Sequence, residues 1–206
     1  MSLQRRPHPK PSREPVLIIC EGYLETSYFN VLQRHPNVKN RFALNIHCAR
    51  GGGHRNVVNA AKSRARTLGQ GASIWCIFDI ENDPQCPQLQ QSLQTCQGNG
   101  FKVGLSNPCF DAWVVAHLQQ AAISSGTPGD FKKLLRSVAG GTLDVRDTRW
   151  VLEHIMGGEA FPNIQLTVNN ISWFGAHQTD QIRSSNPSTS VGELVQLLTE
   201  PPSSSR

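Results

Sequence analysis

The sequence has no long apolar run. Nothing in its 206 residues approaches the ~20 apolar positions that a membrane-spanning helix needs. VLIIC at 16–20, the apolar stretch that follows the charged N-terminus, is too short for the core of an export signal and is closed at once by Glu21. Membrane insertion and secretion are therefore excluded as expectations. Charged residues are sparse at 17%, against 38% hydrophobic, which excludes a disordered polyelectrolyte and predicts a single main core of ordinary domain size. The six cysteines form no CxxC pair, so the expected state is reduced thiols in a cytoplasmic protein without disulfides. A P-loop is missing too: Gly51-Gly52-Gly53-His54-Arg55 lacks the lysine and Ser/Thr that would hold a nucleoside triphosphate.

What is present is a modest excess of positive charge, +5, with a pI near 9.1. A net positive field raises the encounter rate with phosphate-rich polymers, so the composition leans towards nucleic acid as partner. Residues 1–15 read as a flexible basic arm. Its Arg5, Arg6, Lys10 and Arg13 either meet phosphate or are simply solvated. PPSSSR at 201–206 reads as a disordered tail.

Between these ends, short β-branched runs alternate with helical spacing. Strands are expected at 16–20, 42–48, 73–79 and 101–106, with helices at 25–35, 56–68, 85–96 and 107–121, the third interrupted by Pro87. Continuous apolar strands at this spacing predict βαβ units in a mostly parallel α/β sheet with helices on both faces. Residues 16–121 form that core in this reading, and 122–200 a C-terminal helical elaboration of the same domain, irregular between 157 and 189.

In open parallel sheets, ligands bind beyond the carboxyl ends of the strands. Glu21 follows the first strand, and Asp79 ends the third within FDIEND. An extended backbone would aim Asp79 and Glu81 to one side, with Asp83 a further step along. Two carboxylates about 4 Å apart cost on the order of 4 kcal/mol at an effective dielectric near 20. Such a cluster persists only with a cation or a shared proton, and an all-oxygen donor set suits Mg²⁺ or Mn²⁺. Solvated loop acids are the plain alternative. Lys62, Arg64 and Arg66, on the helix after the glycine turn, form with Arg50 and Arg55 the densest basic patch of the core, around which Arg50, His54, Arg55, Lys62 and Arg66 are taken as the nucleic-acid-binding set. They are candidates for phosphate contact, or else a solvated face. Cys109 has no partnered base, and His47 with Cys48 lacks a second pair for zinc. Asn107 is a candidate N-cap or substrate contact, and His117 a core histidine. Trp150, His154, Trp173, Phe174 and His177 suit core more than a binding groove.

Four blocks, CEGYLETSYF (20–29), IFDIEND (77–83), LSNPCFDAWVVAHL (105–118) and NPSTSVGELVQLL (186–198), together resemble the RloB-like family. Its core is similar to the Rossmann-like Toprim domain of topoisomerases, bacterial primases and OLD-type nucleases. The resemblance implies a Toprim-like fold and a Mg²⁺-dependent nuclease, with Glu21, Asp79 and Glu81 as catalytic residues and those three plus Asp83 and Asp111 as metal ligands. It further implies an anti-phage or restriction-associated setting, with an ATPase encoded nearby as partner for some members; oligomeric state is left open. Two departures stand out: Glu81 occupies the position of the second aspartate of a DxD motif, and Asp111 that of a glutamate. The first supports an alternative, a catalytically weakened scaffold that binds nucleic acid or an ATPase. Phosphoryl transfer on a small nucleotide is a third reading.

Overall fold

A computed structural model describes residues 12–68, 71–81, 83–118, 124–169 and 185–201. Arg5, Arg6 and Lys10 of the basic arm, Trp173, Phe174 and His177, and most of the C-terminal tail lie outside these residues. Among the described residues the sheet has five strands in the order β2-β1-β3-β4-β5. They are β1 (Glu14–Cys20), β2 (Phe42–Cys48), β3 (Ser73–Asp79), β4 (Lys102–Asn107) and β5 (Ser188–Thr189). The first four are parallel, and β5 runs antiparallel along the outer edge of β4. The protein is thus an α/β fold built on a mostly parallel sheet.

Strand periodicity divides the core into two layers. Side chains alternate across a strand, so Val16, Ile18, Cys20, Trp75 and Ile77 face one way while Leu17, Ile19, Cys76 and Phe78 face the other. On the first face lie α1 (Tyr23–Leu32), α5 (Phe110–Val115), α6 (Pro128–Val138) and the C-terminal α9 (Val191–Thr199). α3 (Gly53–Ala65) and α4 (Pro87–Gly98) cover the second. The short α2 (Pro36–Arg41) leads into β2; α7 (Thr148–Trp150) continues into a π-helical turn, Val151–Ile155, and α8 is Pro162–Asn169. Val191, Leu194, Val195 and Leu198 of α9 are fully buried in the first layer, so the end of the chain completes this core. No helix among the described residues is long and apolar enough to cross a membrane.

Three local expectations are corrected. Pro87 does not interrupt a helix but opens α4, where its missing N–H costs nothing and its fixed φ suits the first turn. α3 begins three residues earlier than the apolar spacing implied, immediately after Gly51 and Gly52, whose φ values of 77° and 80° end the preceding loop in left-handed backbone. Gly52 is required for space as well, since a Cβ there would lie 2.0 Å from the Asn56 amide. Finally, β5 lies in a stretch read as irregular. Two residues carry no periodicity; they are held because Ser106 Oγ lies 3.2 Å from Thr189 Oγ1, Thr189 Oγ1 donates to Leu105 O and Ser190 Oγ accepts from Leu105 N–H.

Candidate active site: an acidic cluster at the carboxyl edge of the sheet

The central strands β1 and β3 deliver Glu21 and Asp79 side by side. Glu21 Oε2 accepts from the Asp79 backbone N–H at 3.4 Å. Asp79 Oδ1 in turn accepts from Phe110 N–H at 2.9 Å. That N–H opens α5, one of the donors a helix leaves without an internal partner, so the bond ties the end of β3 to the start of the helix that carries Asp111.

A fourth carboxylate completes the group. Glu25 sits in the first turn of α1, four residues after Glu21, and is 5% exposed. It takes backbone N–H bonds from Gly22 and from its own residue. Glu21, Glu25, Asp79 and Asp111 all have their acidities weakened, with burial the first cause at each. Mutual repulsion adds to it: Glu25, Glu21 and Asp111 all push Asp79 up, while Asp111 and Glu21 help lift Glu25 to about 7. Facing the cluster are His54, beside Glu21, and Lys132, which favours ionised Asp111. Cys109, buried beside the acids, has its thiol pushed up by burial and then by Asp79 and Asp111.

His54 belongs to this site and not to the basic surface on which its neighbours placed it. It is 8% exposed, with Nε2 2.8 Å from the Asp79 carbonyl and 3.9 Å from Glu21 Oε2. A carbonyl can only accept, so Nε2 carries the proton.

Glu81 and Asp83 do not extend the strand face. β3 ends at Asp79; the Ile80 N–H bonds Ser106 O, and Glu81 turns to φ 54° with its N–H on Pro108 O at 2.7 Å. This left-handed backbone, costly for a residue with a side chain, leaves the Glu81 side chain exposed on the rim, near enough to raise Glu21. Asp83 is exposed in the following turn, where its N–H bonds Ile80 O.

Asn107 is not an N-cap. α5 starts at Phe110 with Cys109 as its N-cap, and the Asn107 amide donates to Ser185 O. His117 is core: it is 1% exposed, 3.1 Å from the Tyr28 hydroxyl and bonded to Trp113 O, and burial holds it down at about 4. Trp150 packs in the first core layer with His154 stacked on it. All six cysteines are free, and His47 lies 2.8 Å from the Arg64 guanidinium.

Glu25 is the residue that the reading of the sequence missed. Its available signal was the spacing to Glu21: a residue at a strand's end and another in the next helix's first turn, four apart, return to the same place. A first-turn glutamate is more simply read as a partner of the helix N-terminus, a role that Glu25 also fills.

A hard divalent cation is implied by the resemblance. The donor chemistry fits one, because four carboxylates with weakened acidity and few facing cations form the oxygen-rich environment that Mg²⁺ or Mn²⁺ takes. In the conformation seen, no three acidic, histidine or cysteine groups among the described residues are already set to hold one ion.

Fold and site together define an α/β protein with partly buried acids at the carboxyl edge of a mostly parallel sheet. The chain matches the model of the RloB-like protein family over residues 16–198 and belongs to that family. No curated protein and no solved structure matches it.

Proposed function

We propose that this protein is a Toprim-like, divalent-metal-dependent nuclease acting at the Glu21–Glu25–Asp79–Asp111 cluster. The supporting observation is the electrostatics of Asp79: a carboxylate beside three others, pushed well up in pKa by burial and by its neighbours, and bonded through Oδ1 to the start of α5. Asp79, Glu21 and Glu25 would hold the ion, with Asp111 and Glu81 at its margin. When bound, such an ion activates water and stabilises the leaving oxygen of a phosphodiester. Glu25, lifted to about 7 while no ion is bound, holds a proton for part of the time at neutral pH, so ion and proton compete for it. His54 Nε2–H donates to the Asp79 carbonyl and so holds the imidazole beside Glu21.

The family's anti-phage or restriction-associated setting, a cytoplasmic location and an ATPase partner are proposed with this activity. A second reading, a scaffold with weakened catalysis, is favoured by the exposed, left-handed Glu81 and by acids not yet converged. Calorimetry with Mg²⁺ and Mn²⁺, followed by cleavage assays on plasmid, single-stranded DNA and tRNA, decides between them. The nuclease reading expects ion binding and cleavage that EDTA abolishes; ion binding or partner binding without cleavage of any substrate supports the scaffold.

Gly22→Ala probes the cluster without touching an acid. Its φ of −125° suits any residue, but the new Cβ would lie 2.8 Å from Glu25 Oε2 and displace that carboxylate. Since the clash is with the movable end of a side chain, we expect a stability change within about 1 kcal/mol. Mg²⁺ affinity should nevertheless fall severalfold by calorimetry.

A further inference from the structure

Beside the acidic site the second face of the sheet carries a groove between α3 and α4. Arg55 and Lys62 of α3 line one wall of a cavity of about 230 Å³, and Gln88, Gln91 and Thr95 of α4 line the other. A second cavity, about 500 Å³, continues past Lys62 to Arg66. All three cations are exposed, and none forms an ion pair among the described residues.

Position gives the groove its meaning. Both helices follow the carboxyl ends of parallel strands, so their N-termini lie at the edge that holds the acids. His54 touches Asp79 and Glu21, and Arg55 is the next residue. From Arg55 the cations descend one side of α3 at spacings of seven and four residues, covering about 16 Å at 1.5 Å per residue. Packed helices have axes about 8–10 Å apart and interdigitate, so what runs along their outer side is a shallow surface furrow, narrow enough to follow one extended strand and too narrow to seat a duplex. The walls differ chemically: cations that neutralise phosphates on α3, and on α4 amides and a hydroxyl, which hydrogen-bond base edges or sugars in either direction.

We propose that the α3–α4 groove binds single-stranded nucleic acid leading away from the acidic site, with Arg55, Lys62 and Arg66 on its phosphates and Gln88 and Gln91 on its bases or sugars. The proposal rests on the reading that the acids act on nucleic acid, but binding can be measured without cleavage. The full-length protein in EDTA is titrated with fluorescent twelve-nucleotide dT and rU strands and with a twelve-base-pair DNA duplex over a range of salt. We expect the single strands to bind more tightly than the duplex. Arg55→Ala/Lys62→Ala/Arg66→Ala should weaken single-strand binding at least tenfold at low salt and reduce the slope of log K against log salt by about 2, at about 0.7 per phosphate contact. Gln88→Ala/Gln91→Ala should weaken binding while leaving that slope unchanged, because no charge is removed. Loss in either the dT or the rU arm supports the groove and identifies the sugar it accepts. Native-like single-strand binding by the triple variant, or an equal loss on duplex, overturns the proposal. If the triple variant misfolds by circular dichroism, Lys62→Gln replaces it, with an expected slope change of about 0.7. Cleavage that fails while groove binding persists would remove the hydrolytic reading and leave this one standing.

Discussion

Glu21→Gln and Asp79→Asn should each reduce metal-dependent cleavage by about 10³-fold or more, equivalent to roughly 4 kcal/mol of transition-state stabilisation. Both substitutions keep shape and hydrogen bonding. An asparagine carbonyl oxygen at position 79 still accepts from Phe110 N–H, and a glutamine carbonyl oxygen at position 21 still accepts from the backbone N–H of residue 79. What they remove is the negative charge that draws a cation into the cluster, so the loss should come without loss of fold. Relief of repulsion should in fact raise the melting temperature of both variants in EDTA. Glu81→Gln makes the contrast: its side chain is exposed beyond the end of β3, and about tenfold or less should be lost. Initial rates with Mg²⁺ or Mn²⁺, beside melting curves of the same preparations, test the set. Wild-type rates in both Glu21→Gln and Asp79→Asn would remove the acids from the chemistry, whatever Glu81→Gln does.

The parts of this architecture legible in the sequence are those governed by one strong local pattern. VLIIC, SIWCIFD and the other central strands are buried on both faces, so continuous apolar runs mark them and the glycine and proline turns around them. That pattern also places Glu21 and Asp79 at the carboxyl edge, because Glu21 directly follows its run and Asp79 closes its own. β5 was not legible. Its two residues have too little length for a period, and what holds them is hydrogen bonding to β4, more than eighty residues earlier in the chain. The second half of the FDIEND motif misled for a related reason. Alternation holds only while the backbone stays extended; Ile80 N–H makes the last ladder bond, to Ser106 O, and left-handed Glu81 ends that condition two residues after Asp79. His54 stood among arginines and lysines in sequence, yet a helix turns 100° per residue and points it away from Arg55, inwards to the acids.

In EDTA, Glu25→Gln should match the wild type in stability below about pH 4 and exceed it near pH 8 by up to about 3 kcal/mol. The figure follows from Glu25 titrating at about 7 in place of an ordinary 4.5. The sign comes from linkage. Between those two values the folded protein holds a proton that the unfolded chain has released, so stability falls as pH rises through this window and stays low above it. Glutamine acts as a carboxyl that never ionises, and its carbonyl oxygen can keep the backbone bonds from Gly22 and residue 25. At about 2–4 °C per kcal/mol for a chain of this size, the gain in melting temperature is about 6–12 °C. The wild-type profile alone would hide the effect. His117, buried with its pKa held at about 4, contributes the opposite slope from there up to the ordinary histidine value of 6.5. Both proteins contain His117, so subtracting one curve from the other cancels it. Saturating Mg²⁺ at pH 8 should then reverse the order, because an ion can replace the missing proton in the wild type but finds one fewer charge in the variant. A Glu25→Gln variant that is less stable than wild type at pH 8 in EDTA would mean that the Glu25 charge is already compensated within the fold, and that the cluster has no need of a cation.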